Sequence, residues 1–136
     1  MPRYLLDTNI CIYLMKHQPA AVRNRFAQCY AGDVIISAIT YAELVYGIEA
    51  SANPERELMH LSLLIEDIPV IPFGVEAAIA YGPVRRATRE SKRDHLDKLI
   101  AAHALSLKVT LVTNNVKDFA KYPGLVIENW VEVQKS

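Results

Sequence analysis

Short apolar runs of strand length alternate with helix-forming stretches along the chain. This alternation restricts the fold to helices layered on a mainly parallel sheet. The strand candidates are Tyr4-Leu5-Leu6, Val34-Ile35-Ile36-Ser37, Ile68-Pro69-Val70-Ile71, Val109 to Thr113 and Leu125-Val126-Ile127. Between them, apolar residues recur at helical spacing, as in Val22 and Phe26, Leu58 to Ile65, and Leu96, Leu99, Ile100, His103 and Leu107. Pro69 has no N–H for a ladder, so its strand is expected at an edge or with Pro69 as its first residue. A helix over Val75 to Glu90 is expected to kink at Gly82-Pro83. The fold class is therefore α/β, a central sheet of about four to five mainly parallel strands sandwiched by helices. The 136 residues fit one domain, 1–136, and the helical hairpin around 39–66 can project from it as a lobe.

The chain balances 15 basic against 15 acidic residues, so no global basic field announces nucleic acid. The distribution says more. Arg85, Arg86, Arg89, Lys92 and Arg93 crowd into one stretch, with Arg85, Arg89 and Lys92 or Arg93 at helical spacing on one face. An RNA backbone can lie on such a face, although charge runs are commonly just solvated surface. The N-terminal apolar run is cut short by Asp7, and no stretch approaches the roughly 20 apolar residues of a membrane span. A cytoplasmic location is expected. Cys11 and Cys29 lack metal-ligand spacing and read as reduced, apolar fillers.

In open α/β sheets, ligands gather at the carboxyl ends of the strands. Asp7 ends the first strand, Glu43 lies in the helix after the second, and Asp97 opens the helix before the strongest strand. Asn114, Asn115 and Asp118 follow that strand. Each acid also has an ordinary structural reading. Thr8 can cap the first helix, Thr40-Tyr41-Ala42-Glu43 matches a capping box, and Asp94 and Asp97 sit where acids favour a helix N-terminus. Chemistry is favoured because carboxylates gathered on one rim would repel without a cation. Mg²⁺, with Mn²⁺ as a substitute, prefers oxygen ligands and would let a neutral protein engage phosphates. His103 and His95 invite an acid–base reading, but His103 lies on an apolar helix face and reads as core.

These segments, in order, resemble a known family. Leu6-Asp7-Thr8-Asn9, Ile36 to Leu44 with Gly47, Asp97 to Ala104, Leu111-Val112-Thr113-Asn114-Asn115, Gly124-Leu125 and Glu128-Asn129-Trp130 look like the PIN-domain toxins called VapC. The resemblance implies a Mg²⁺-dependent endoribonuclease of a toxin–antitoxin pair, dimeric and held inactive by a VapB-type antitoxin, through which alone it contacts DNA. It further implies initiator tRNA, cut in the anticodon stem-loop, as the RNA substrate. By position, Asp7 and Asp97 look like metal ligands and Glu43 like the third catalytic acid, with Thr8, Asn9, Thr113 and Asn114 shaping the site. The family's fourth acid falls at Asn115, and Asp118 is the acid nearest to it. Relatives commonly carry a longer Gly- and Pro-containing loop before Asp97, whereas this chain has Glu90-Ser91-Lys92-Arg93-Asp94-His95, so Asp94 competes with Asp97 as a ligand.

Two other classes bear comparison. A signalling receiver would need paired acids after the first strand and a lysine after the last, and Asp7 stands alone while the later turn reads Thr-Asn-Asn. A catalytically silent PIN-like module that binds only RNA or antitoxin is left open by Asn115 and the altered loop.

Overall fold

A computed structural model describes residues 1–132; residues 133–136 of the expected domain lie outside the described residues. Five strands, β1 (Tyr4–Leu6), β2 (Val34–Ser37), β3 (Val70–Ile71), β4 (Thr110–Val112) and β5 (Ile127–Glu128), form one sheet. Every pairing is parallel and the order is β3-β2-β1-β4-β5. Pro69 immediately precedes β3, which is an edge strand, and its carbonyl still accepts from the Ile36 N–H at 3.0 Å.

The strands read as continuous apolar runs because both faces are covered. Side chains alternate, so Tyr4, Leu6, Val34 and Ile36 enter one core while Leu5, Ile35 and Leu111 enter the other. The first core is closed by α1 (Thr8–Lys16), α2 (Ala20–Ala27), α3 (Ala38–Glu49) and α4 (Pro54–Asp67), through Ile10, Val22, Leu44 and Leu61 among others. The second is closed by α5 (Val75–Ala87) and α6 (His95–Leu107), with Phe119 of the short α7 (Val116–Phe119). The α3–α4 hairpin lays Leu44, Ile48 and Leu61 into the first core and leaves Tyr46, Leu58, Met59 and Leu63 exposed.

Local expectations needed correction in three places. The helix at Val75 runs unbroken through Pro83 and stops at Ala87, three residues early. Ile79, whose carbonyl Pro83 leaves unbonded, is 71% exposed, so water can take that carbonyl. Thr88 ends this helix, its hydroxyl donating to the Val84 carbonyl at 2.7 Å. The five clustered cations therefore do not share a helix face: Arg85 and Arg86 finish α5, while Arg89, Lys92 and Arg93 lie in the following loop. The last strand is shifted to Ile127–Glu128, since Leu125 is held by Tyr122 in a turn.

Candidate active site

The chain steps outward from β1 through β2 to β3, then returns to place β4 on the other side of β1. The strand order reverses between β1 and β4, and such a reversal opens a crevice at the carboxyl ends. Asp7 follows β1 directly and Thr113 follows β4, with the Asp7 N–H bonded to the Val112 carbonyl at 3.0 Å. Asp7 is 5% exposed. It, and not Thr8, caps α1, Oδ1 accepting from the Ile10 N–H at 3.0 Å. Burial raises its carboxyl above the usual range, opposed by a hydrogen bond from Thr113 and the Ile10 N–H, with the Glu43 charge adding to the rise.

Thr8, freed from capping, donates its hydroxyl to Glu43 Oε1 at 2.9 Å. The capping box at Thr40 does not form. Ser37 caps α3 one turn earlier, its Oγ accepting from the Ile39 N–H at 3.0 Å, so Thr40 is inside the helix and Glu43 turns toward Thr8. Ser37 Oγ also lies 2.7 Å from Nδ1 of the buried His103. Burial lowers the His103 pKa, against a hydrogen bond with the Pro72 backbone. This imidazole is a neutral core brace between β2 and α6, as its apolar helix face implied.

Asp97 sits in the first turn of α6. Burial, then the charges of Glu43, Asp118, Asp7 and Asp94, push its carboxyl up to about 6. Asp118 is thus electrically part of the rim, and it accepts from Asn115 Nδ2 at 2.8 Å while the Asn115 N–H bonds Thr113 Oγ1 at 2.9 Å. Asn9 and Asn114 are exposed at the ends of the same strands.

Asp94 is engaged elsewhere. Lys121 Nζ is 2.7 Å and the Tyr122 hydroxyl 2.6 Å from its Oδ2, and Lys98 Nζ is 3.2 Å from its Oδ1. Burial alone would raise this carboxyl, yet hydrogen bonds from Lys121, Tyr122 and Lys98 hold it well below the usual range. Sequence reading had no reason to single out Lys98, which is 2% exposed. The one signal was its i+4 spacing from Asp94. Of the clustered cations, Arg93 alone reaches the acidic cleft, lining about 410 Å³ with Glu43, Asp94, His95, Leu96 and Asp97. Arg86 and Arg89 line a separate depression.

The donors fit a hard divalent cation. Asp7, Glu43 and Asp97 offer only oxygen, and among the described residues no Lys or Arg forms an ion pair with any of them. Among the described residues no three His, Cys, Asp or Glu side chains come close enough together to hold a metal ion by themselves, so water and substrate phosphate would have to complete its ligands.

A parallel sheet whose reversal point gathers acids from four segments of the chain defines a PIN domain, and the PIN domain family model matches residues 4–125. The tRNA(fMet)-specific endonuclease VapC of Shigella flexneri is 39% identical over 132 residues, covering 96% of this chain and 99% of that protein. Ribonuclease VapC2 of Rickettsia felis is 35% identical over 130 residues, covering 93% and 97%. Among solved structures, DNA-bound VapBC from Salmonella typhimurium aligns with a TM-score of 0.88 at 38% identity, over 96% of this chain and 99% of that one. The chain belongs to the PIN-domain family and, within it, to the VapC endoribonucleases.

Proposed function

We propose that this chain is the toxin of a VapBC pair, a Mg²⁺-dependent endoribonuclease that cuts initiator tRNA in its anticodon stem-loop and arrests translation in the cytoplasm. The observation that carries this reading is the gathering of Asp7, Glu43, Asp97 and Asp118 at the sheet's reversal point, where burial and then the neighbouring charges push the Asp97 carboxyl up to about 6 and, among the described residues, no cationic side chain is paired to it. The tRNA assignment is supported by the name of the Shigella flexneri relative.

Asp7 and Asp97 would hold the cation. When bound, it would offset charge on the scissile phosphate and make bound water a ready nucleophile. Glu43, its Oε1 held by the Thr8 hydroxyl at 2.9 Å, is oriented to take the proton of the attacking water. Thr113 braces Asp7, and Asp118 fills the fourth position with Asn115 as its partner. Asn9 and Asn114 border the substrate entrance. Tyr46, Leu58, Met59 and Leu63 expose apolar surface on α3 and α4 that a VapB-type antitoxin or a second copy of the chain would cover.

The test is to express the chain and its Asp7→Asn variant, and to map new RNA 5′ ends with Mg²⁺ present. Cuts in the initiator tRNA anticodon loop that the variant lacks are expected. Identical 5′ ends in both samples would overturn the reading.

A further inference from the structure

The loop between α5 and α6 has no regular structure, yet an ionic cluster around the buried Lys98 pins it. Lys98 Nζ donates to the Ser91 carbonyl at 2.6 Å, and Lys121 Nζ to Ser91 Oγ at 2.9 Å. Both ammonium groups converge on Asp94, 3.2 Å from Lys98 and 2.7 Å from Lys121, and Tyr122 of the segment after α7 adds its hydroxyl at 2.6 Å. A lysine that is 2% exposed is tolerated only when paired, so Asp94 is what allows Lys98 to stay inside.

The residues on either side of Asp94 point to a use for this clamp. Arg93 and His95 are exposed, and both line the cleft that contains Glu43 and Asp97. Neither forms an ion pair among the described residues, so neither is consumed in neutralising the acids beside it. An unengaged guanidinium at the mouth of an acidic cleft suits a phosphate, which it can meet with two parallel hydrogen bonds.

We propose that Asp94 is a positioning residue for RNA: it clamps the loop onto α6 and α7 so that Arg93 and His95 are presented to the phosphates flanking the bond to be cut. Ordering a loop before the substrate arrives removes that entropy cost from binding. The inference rests on the RNA-cleaving reading of the site, but its readout is separate, because binding can be measured without cleavage.

The experiment measures binding of an RNA stem-loop with the initiator tRNA anticodon sequence to the full chain carrying Asp7→Asn, across a salt series. Arg93→Ala is expected to weaken binding about tenfold and to flatten the dependence of log Kd on log salt by about 0.7. His95→Ala should weaken it by less. Asp94→Asn should weaken binding at least as much as Arg93→Ala, and the two together should be no worse than Asp94→Asn alone, since loss of the clamp already removes the Arg93 contact. Tyr122→Phe, which deletes one hydrogen bond to Asp94, shifts binding in the same direction and serves if Asp94→Asn does not fold. Unchanged binding in Arg93→Ala, strictly additive effects, or no RNA binding at all would overturn the proposal. Absence of cleavage by the unaltered chain would instead overturn the reading of the acids.

Discussion

Asp97 is held in a conflict that serves the site at the expense of the fold. Its folded pKa, about 6, lies above the ordinary 3.8, so between those values the folded chain binds more protons than the unfolded one. Stability therefore falls as pH rises through that window, and the penalty is complete above it. Asp97→Asn should stabilise the metal-free chain by about 1 kcal/mol at pH 7.5 in urea denaturation, a figure discounted because the group is half exposed. The same change should lower RNA cleavage about a hundredfold or more. Asp7 adds a second distinction, because it also caps α1 through Ile10. Asn is an equally good cap and removes a buried charge, so Asp7→Asn should be at least as stable as the parent, whereas Asp7→Ala should be about 1 kcal/mol less stable than Asp7→Asn. Reading residue types alone left capping and chemistry equally open for Glu43. The hydrogen bond from Thr8, 35 residues away, turns the carboxylate away from capping its own helix, and no local pattern contains it.

At the scale of elements, α3 shows why its sequence offers two starts. Ser37 and Thr40 are both good caps, and only the sheet register, with Ser37 opposite Ile71 in β3, holds the chain extended up to Ser37. Ser37→Ala removes the cap and strands the buried His103 Nδ1, an expected loss of about 2–4 kcal/mol in denaturant unfolding. Cleavage should fall with it, because α3 carries Glu43. The Asp94 clamp makes a different prediction. Its folded pKa is depressed, so its contribution is present above the ordinary carboxylate range and is lost as pH falls through that range toward the lower folded value. Asp94→Asn should flatten the loss of stability on acidification, read from melting temperatures across a pH series. Helical spacing puts Arg85, Arg89 and Lys92 or Arg93 on one face. The stop at Thr88 depends on its hydroxyl turning back to Val84, which charge spacing does not reveal.

At the scale of the whole molecule, the carboxylates repel one another until a cation joins them, so the metal should act as a folding ligand. Mg²⁺ at about 100 times its dissociation constant should add about 2.7 kcal/mol, seen as a rise in melting temperature that Asp7→Asn largely abolishes. The alternation of strands and helices was determined by the sequence itself, because strand period and helical period are local properties of the chain. So were the two covered faces of the sheet, since its strands are apolar on both sides. The ordered motifs likewise carried the family. What only the tertiary structure decided were relations across distance: the reversal of strand order that brings Asp7 beside Thr113, the turning of Glu43 to Thr8, and the engagement of Asp94 by two lysines and a tyrosine. Those depend on which segments meet in space, and a side chain's partner there is set by packing and charge rather than by its neighbours in sequence.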